Sequence, residues 1–527
     1  MSETLDYLDK HWRSTCKVIL GREVGGMEQY EKWLLEYADP LTERKSSISG
    51  KEVQFYVPDY AEGSRYAAFD EVWEKQKAAP LNLNEIKDID SLAEAVQERA
   101  CYTGAVILGN SKYVEKSSNI TDSFYVYKSG YAVDCEGVAY SSIAKLSKDI
   151  FGSNALAESH HLIKCSTVGH KISRCLEVWV GESSSDCYYS HNLSFCNDCV
   201  FCFNLVSKRN AIGNLELPKE KYLQLKAKLV AEMADELERK KRLPSLIEMA
   251  TSSKTKADKS VLARVPEFPE EKWDPKPIDA AFGRTSEIVL GKRLSSMAPY
   301  VPWLKERVKA TYDRKSCVSG KPIIIFDYYN LTKLPIDRLV KEKEAKELGR
   351  LCKAGEGEIG SISLAGAGNV LGKIAYFCPE TRVGKNENVT ESLTYHSSNA
   401  IRVATVVYSK YCAYSNWART SEHIFGSCIA HESSFCIRCH HSKKITRCFE
   451  VESSRDCSDC YFCHNCENVH DSMFCFNIKN KSYAIGNVEV GKEEYARIKK
   501  ILLAEIGARL EKDKKLNLDI YTIRAKK

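Results

Sequence analysis

Small and apolar residues recur at every third position through two long stretches of the chain. When the sequence from Cys439 onward is written in rows of nine residues, one column contains only cysteines: Cys439, Cys448, Cys457, Cys466 and Cys475. Lines drawn from Cys175 give similar columns of Cys, Ser, Val and Leu. The intervening residues are charged, polar or aromatic. A period of three therefore separates an inner set of side chains from an outer set.

This period does not fit the common regular structures. An α-helix turns about 100° per residue, so a stripe of period three drifts around its axis. A flat strand alternates faces with period two. A narrow β-solenoid fits the columns, because its backbone turns after every three residues and points one side chain of each three inward. Each coil would then contain nine or eighteen residues. A nine-residue perimeter is only about 30 Å, so we expect Cys, Ser, Val and Ala inside and little room for Leu or Phe.

The second half of the chain repeats the first. "RKSSISGK" at 44–51 returns as "RKSCVSGK" at 314–321, and "AIGNLEL" at 211–217 returns as "AIGNVEV" at 484–490. Each half ends in an amphipathic pattern, at 219–242 and 492–515, which predicts a helix packed on its own domain or, as the second interpretation, a helix that binds a partner. Three residues of the first half, Asp186, Tyr188 and His191, recur as Asp459, Tyr461 and His464. We expect these recurring residues to form a solvated outer face.

These patterns predict an α+β, β-rich tandem duplication. Each copy has an N-terminal α+β region, then a Cys-lined β-solenoid, then a closing helix. The predicted boundaries are 1–100 and 101–245 for copy one, 246–280 for a linker rich in Ser, Lys and Pro, and 281–375 and 376–527 for copy two.

Composition narrows the functional classes. With 43% hydrophobic and 28% charged residues among 527, the chain has the balance of a globular protein. Its net charge of +6 is too weak to indicate a nucleic-acid or membrane partner. No stretch approaches the roughly 20 apolar residues of a membrane helix, and the N-terminus lacks the apolar core of a signal peptide. We expect an intracellular protein, in the cytoplasm or inside or at the shell of a particle assembled there.

The 22 cysteines have three interpretations. In a reducing compartment buried thiols serve as small apolar fillers, and disulfides would need an oxidising one. We expect filler thiols at Cys175, Cys187, Cys196, Cys199, Cys202, Cys439, Cys448, Cys457, Cys466 and Cys475.

The alternative is a zinc or Fe–S site. Its candidate ligands are Cys457, Cys460, Cys463 and Cys466, with Cys436 and Cys439 as a further pair. The C-x2-C-x2-C-x2-C run departs from the ferredoxin spacing by one residue. In copy one, Ser190 and Leu193 replace two of these cysteines, as fillers would be replaced.

Catalytic motifs are not apparent. "RKSSISGK" lacks the first glycine and the final hydroxyl residue of a phosphate-binding loop. No G-x-S-x-G, H-E-x-x-H or paired-carboxylate pattern occurs. We therefore expect no enzymatic activity and identify no small-molecule substrate.

Three further motifs carry a resemblance. The strand-rich stretches close with "NLVSKRNAIGN" (204–214) and "NIKNKSYAIGN" (477–487), followed by "KEKY" and "KEEY". The chain resembles an uncharacterised Cys-rich repeat family, in which a C-x2-C ladder is closed by N-L-x-N-K-x-Y-x-I-x-N. Of that family's upstream R-K-C-x-x-C-G-K knuckle only Cys317 remains. The resemblance implies no known activity.

The leading hypothesis is a non-enzymatic structural or assembly protein. As a covalent pseudo-dimer it would bridge protein partners in a large particle such as a virion. The alternatives are a zinc or Fe–S protein and, more weakly, an RNA-binding scaffold.

Overall fold

Two compact units make up the chain, and each combines segments from both halves. The computed structural model describes residues 2–57, 60–72, 82, 85–97, 99–253, 258–270, 272–328 and 330–523. The first unit contains Met1–Pro40, Gly109–Glu271 and Thr311–Val383. The second contains Leu41–Leu108, Lys272–Ala310 and Gly384–Lys527. The predicted α+β regions are thus divided between the units.

Both units carry helices and a large, mostly parallel sheet, which confirms the broad α+β class. In the first unit the strands are Lys112–Glu115, Ser118–Thr121, Phe124–Tyr127, Gly130–Val133, Glu136–Ala139, Ser142–Lys145, Lys148–Phe151, Asn154–Ala157, His160–Ile163, Ser166–His170, Ser173–Glu182, Ser185–Ser194, Asn197–Val200, Phe203–Val206, Arg209–Ile212 and Leu215–Glu216, then Thr311–Lys315, Pro322–Phe326 and Arg382–Val383.

The second unit is built in the same way. Its strands are Thr42–Lys45, Glu52–Phe55, Arg65–Ala68, Cys101–Gly104 and Ile107–Leu108, then Glu387–Thr390, Leu393–Tyr395, Ser398–Ile401, Ala404–Val407, Lys410–Ala413, Asn416–Arg419, Glu422–Phe425, Cys428–His431, Ser434–Ile437, His440–Glu452, Arg455–His464, Glu467–Met473, Lys479–Ser482, Ala484–Ile485 and Val488–Glu489. We call residues 109–216 and 384–489 the first and second strand regions.

The parallel register repeats every twelve residues. Val138 pairs with Ile150, and Ile150 pairs with Leu162. In the second strand region Cys436 pairs with Cys448. The predicted repeat of one or two nine-residue lines is therefore wrong. Any repeat that is a multiple of three keeps the same residues facing inward, so the period of three alone does not fix the length of the repeat.

Nearly every third side chain of the strand regions enters a buried core. In the first region the core includes Ile120, Val126, Ala132, Cys135, Val138, Ala144, Ile150, Leu156 and Leu162. The expectation that Leu would not fit is wrong. A twelve-residue repeat provides about 40 Å of extended chain, which accommodates Ile and Leu beside Cys and Ser.

The backbone bends at every triplet through a left-handed residue. Tyr125, Lys128, Tyr131 and Asp134 have φ of 55°, 42°, 57° and 55°. The N–H of Asp134 donates to the carbonyl of Thr121 at 3.0 Å, so the bend keeps its inter-strand bond. For residues other than Gly this conformation costs about 1–2 kcal/mol, and Asn and Asp tolerate it best. Ladder hydrogen bonds and core burial offset that cost.

Helices lie against the strand regions. In the first unit α-helices span Glu3–Leu20, Glu31–Leu34, Lys219–Lys240, Leu246–Ser252, Lys259–Leu262, Glu342–Leu351, Glu356–Gly360 and Ala367–Ile374, with 3₁₀ turns at Met27–Tyr30, Leu35–Tyr37, Leu331–Lys333 and Ile336–Arg338. In the second they span Phe69–Val72, Ile89–Val96, Lys276–Leu290, Val301–Leu304 and Lys492–Asp513, with a 3₁₀ turn at Ala298–Tyr300.

The two helices predicted at the end of each half are present. Lys219–Lys240 buries Tyr222 and Leu229 along one stripe, and Lys492–Asp513 buries Tyr495 and Leu502. The segment predicted as a linker differs from expectation, because it contains the helix Leu246–Ser252 with its first residue fully buried. Among the described helices, none combines the length and apolar content needed to cross a bilayer.

The left-handed residues make a prediction about stability. Leu146 has φ of 51° and is 47% exposed, so Leu146→Asn relieves backbone strain and should raise the free energy of unfolding by about 1 kcal/mol. The control is Val206→Asn, because Val206 is 48% exposed and lies at the end of the strand Phe203–Val206. It should leave stability unchanged or lower it. Denaturant unfolding measures both, and equal shifts would contradict the role of backbone strain.

Candidate functional site: the buried polar columns

Inward serines satisfy the backbone between successive repeats. The Ser129 hydroxyl donates to the carbonyl of Tyr127 at 2.8 Å and accepts the N–H of Ser141 at 3.1 Å. The same bonds link Ser117 to Ser129 and Ser141 to Ser153, at 3.0 Å each. Each serine thus pairs a backbone N–H that would otherwise be buried without a partner, which is costly.

Thiols at inward positions make the same donor bond. Cys187 donates to the carbonyl of Ser185 and Cys457 to that of Arg455, both at 3.1 Å and both two residues back. All 22 cysteines are free thiols. The ten proposed filler thiols are all buried: Cys175, Cys187, Cys196, Cys199, Cys202, Cys439, Cys448, Cys457, Cys466 and Cys475. Sulfur is a weak acceptor, so a thiol replaces only half of a serine's bonding.

The six candidate metal ligands also face inward. Cys457, Cys460, Cys463 and Cys466 occupy four successive inward positions, and Cys436 and Cys439 lie on earlier repeats. Among the residues that the structure describes, no three Cys, His, Asp or Glu side chains are arranged to hold a metal ion.

Three other thiols lie close to that of Cys463. Burial raises its pKa, but hydrogen bonds from the thiols of Cys460, Cys466 and Cys475 outweigh burial and hold the pKa well below the usual thiol value. The pKa of Cys466 is raised, first by burial and then by its bond to Cys463. The thiols of Cys460, Cys466 and Cys475 thus lie close to that of Cys463.

Substitutions of Cys463 separate filler from ligand. If Cys463 is a filler, Cys463→Ser should lower the free energy of unfolding by less than about 1 kcal/mol. The serine hydroxyl can donate to the carbonyl of Tyr461 as the thiol does. Cys463→Leu should cost about 1–3 kcal/mol by overpacking. Denaturant unfolding measures both effects. Elemental analysis of anaerobically purified protein tests the ligand role, because both variants should then release metal.

The reverse exchange is the matched control. Ser472 donates to the carbonyl of His470 and accepts the N–H of Ala484 at 3.2 Å. Ser472→Cys should cost about 1 kcal/mol because sulfur accepts that N–H poorly. If Cys463→Ser were as costly as Cys463→Leu, the filler interpretation would fail.

The recurring residues expected on a solvated face are mostly buried, so that expectation is wrong. Tyr188 donates to the carbonyl of Ile19, and Tyr461 donates to that of Val289, both at 2.9 Å. His191 and His464 are fully buried. Helices cover this face, which periodicity within the strands could not reveal.

Two half-buried carboxylates belong to the same set. Asp186 pairs with Arg174 at 2.5 Å, and Asp459 pairs with Arg447 at 2.6 Å. Each of these arginines lies twelve residues before its partner, on the preceding repeat. The pairs therefore stabilise adjacent repeats rather than marking an open site.

Each unit also contains a buried cation that sequence reasoning missed. Lys164 is fully buried, and its Nζ donates to the carbonyl of Trp33 at 2.8 Å and to Glu36 at 3.1 Å. Its Nζ also lies 3.5 Å from the ring centre of Tyr37. The hydroxyl of Tyr37 in turn donates to Glu177 at 2.8 Å.

The second unit repeats this arrangement with arginine. Arg438 is fully buried and bonds Glu450 and the carbonyl of Trp303, and it contacts Glu306 at 3.2 Å. A single Lys or Arg among outer residues carries no local sign of burial. Only the matching positions of Lys164 and Arg438 in the two halves could have indicated it.

Burial shifts these groups toward neutrality. It raises the pKa of Glu177 to about 7, against the opposing charge of Lys164. It raises the pKa of Glu450 to about 7 as well, against Arg438. It lowers the pKa of Lys164 to about 8, against Glu177 and Glu36. Between pH 4.5 and 7 the folded state therefore holds protons on both glutamates that the unfolded chain has released.

Replacing Glu177 tests this shift. A raised folded pKa adds stability that is fully present below about pH 4.5 and is lost as pH rises through 7. Relative to Glu177→Gln, the wild type should lose up to about 1.4 kcal/mol of unfolding free energy per pH unit in that window. Glu220→Gln, at an exposed helix position, is the control and should show a constant difference. A constant difference for Glu177→Gln would contradict the assignment.

An open cleft of about 850 Å³ lies along the closing helix of the first unit. Its carboxylates are held in ion pairs: Asp235 with Arg22 at 2.5 Å, and Glu236 with Arg239 and Lys240. The cleft therefore presents compensated charge rather than an activated acid or base.

Comparison with family models, curated proteins and solved structures gives no match for this chain.

Proposed function

We propose that the chain is a tandem duplication of a Cys-lined β-solenoid with twelve-residue turns. The supporting observation is that equivalent residues of the two halves make the same contacts. Tyr188 bonds Ile19 across 169 positions of the chain, and Tyr461 bonds Val289 across 172. Lys226 and Lys499, which are related by the same shift as these tyrosines, lie over their rings. Shared ancestry accounts for this correspondence in the simplest way.

The proposed role is that of a non-enzymatic structural or assembly protein. A covalent pseudo-dimer presents two similar surfaces and suits partners arranged with twofold symmetry. The polar side chains that recur in both halves serve internal contacts, as Tyr188 and Lys164 do. Recognition would then fall to the outer surfaces, and the partners would be protein subunits of a large intracellular particle such as a virion.

Stoichiometry tests this role. The tagged chain, purified natively and cross-linked, should carry two copies of one partner subunit, measured by mass photometry. Cross-links mapped by mass spectrometry should reach equivalent positions of the two halves. A partner contacting one unit alone, or a chain isolated without partners, would overturn the proposal.

A zinc or Fe–S protein remains the second candidate, and the thiols around Cys463 favour it. The thiols of Cys460, Cys463, Cys466 and Cys475 lie close together and are the soft ligands that zinc and iron–sulfur clusters use. The metal content of the Cys463 variants decides between this candidate and the filler interpretation.

A further inference from the structure

We propose that Leu41–Leu108 and Thr311–Val383 are equivalent docking elements exchanged between the two halves, so that each strand region binds the docking element of the other copy. The inference rests on the proposed duplication and goes beyond it. Each docking element belongs to the compact unit of the opposite half. A second copy of this repeat is thus the partner for which each strand region is built.

The second unit shows how its strand region holds the first docking element. Nε2 of His464 accepts the N–H of Thr103 at 2.8 Å. Nδ2 of Asn477 donates to the carbonyl of Cys101 at 2.8 Å, and its Oδ1 accepts the hydroxyl of Thr103. All four residues are buried. One histidine and one asparagine of the strand region thus hydrogen-bond to a backbone N–H and a backbone C=O of the docking element.

The first unit makes the same pair of bonds, but here the strand region comes before the docking element in the sequence. Nε2 of His191 accepts the N–H of Cys378 at 3.1 Å, and Nδ2 of Asn204 donates to the carbonyl of Tyr376 at 2.8 Å. His191 and Asn204 are equivalent to His464 and Asn477 under the shift that relates the two strand regions. In each docking element the N–H lies two positions after the C=O. The exchange is therefore reciprocal.

The orientation of each histidine suits this purpose. Nε2 of His464 faces the N–H of Thr103 and accepts from it, while Nδ1 bonds the buried carboxylate of Glu452. Burial lowers the pKa of His191 to about 3, which keeps its ring neutral and able to accept. Both imidazoles therefore act as acceptors toward the docking elements.

Recognition through main-chain groups explains why two diverged elements fit two sites. The bonded residues are Thr103 and Cys101 in one element and Cys378 and Tyr376 in the other, so side-chain identity is not what is matched. Both elements also begin with the same turn, in which Ser46 bonds Glu71 at 2.6 Å and Ser316 bonds Glu344. A common turn and common backbone groups suffice to make the elements interchangeable.

Cutting the full-length chain between the halves tests the exchange. A specific protease site inserted between Ala263 and Arg264, both exposed, yields two fragments. Exchanged docking elements predict that the fragments elute together at the size of the intact chain in native buffer and separate in denaturant. Fragments that separate without denaturant would overturn the exchange.

A cross-link tests whether the first docking element is what holds the two fragments together. Arg509 pairs with Asp90 at 2.5 Å, and Asp90 belongs to the first docking element. With Arg509→Lys, a carbodiimide should couple Asp90 to position 509 and join the fragments on a denaturing gel. The control adds Asp90→Asn and should abolish the joined band. Association of the fragments without this coupling would overturn the proposal.

This experiment is independent of any partner. A chain that passes it but carries no partner subunit refutes the assembly role and leaves the exchange intact. A chain that fails it while binding two partner subunits refutes the exchange alone.

Discussion

The twelve-residue parallel register is the constraint on which the rest of the structure depends. It places equal positions of successive repeats side by side, so like residues can stack and opposite charges can pair. Tyr113 stacks on Tyr125 with ring centres 4.6 Å apart, and Asn465 bonds Asn477 at 2.8 Å. The register is possible only because the backbone adopts a left-handed residue at each triplet. The strand regions therefore offset a distributed backbone strain with ladders that run along every face.

Inside the strand regions, Ser and Cys are near equivalents with one difference. Both donate to the carbonyl two residues back, as Ser129 and Cys187 show. Only the hydroxyl also accepts the N–H of the next repeat well. Serine columns therefore tie successive repeats together, whereas cysteine columns rely on packing and dry burial. The inward positions therefore accommodate Ser and Cys alike.

The sequence predicted the inner and outer sets because small residues at every third position fit few backbone geometries. It could not give the length of the repeat, since any multiple of three keeps the same residues inward: Cys448 lies nine residues after Cys439 but pairs with Cys436, twelve residues before it. It also missed the buried cations. Lys164 and Arg438 become buried through contact with Trp33 and Trp303, which lie far away in sequence.

The sequence identifies the clustered cysteines but does not show which thiols lie next to one another. The spacing of Cys457, Cys460, Cys463 and Cys466 fits a metal site and a filled core equally well. The contact of Cys463 with Cys475 depends on the twelve-residue register, so it could not be predicted without the length of the repeat. The grouping of Leu41–Leu108 with the second strand region was equally hidden, because both halves contain a similar element and either pairing satisfies the repeats.

The division of the chain has a consequence for synthesis on the ribosome. Leu41–Leu108 emerges early, yet the strands that receive it end near the C-terminus. With about 400 residues still to be made at about 5–20 residues per second, this element waits roughly 20–80 s before its binding surface exists. During that interval its apolar side chains, Phe55 and Tyr102 among them, lack their final neighbours. A nascent chain of this kind is a natural client for chaperones that shield exposed hydrophobic surface during translation.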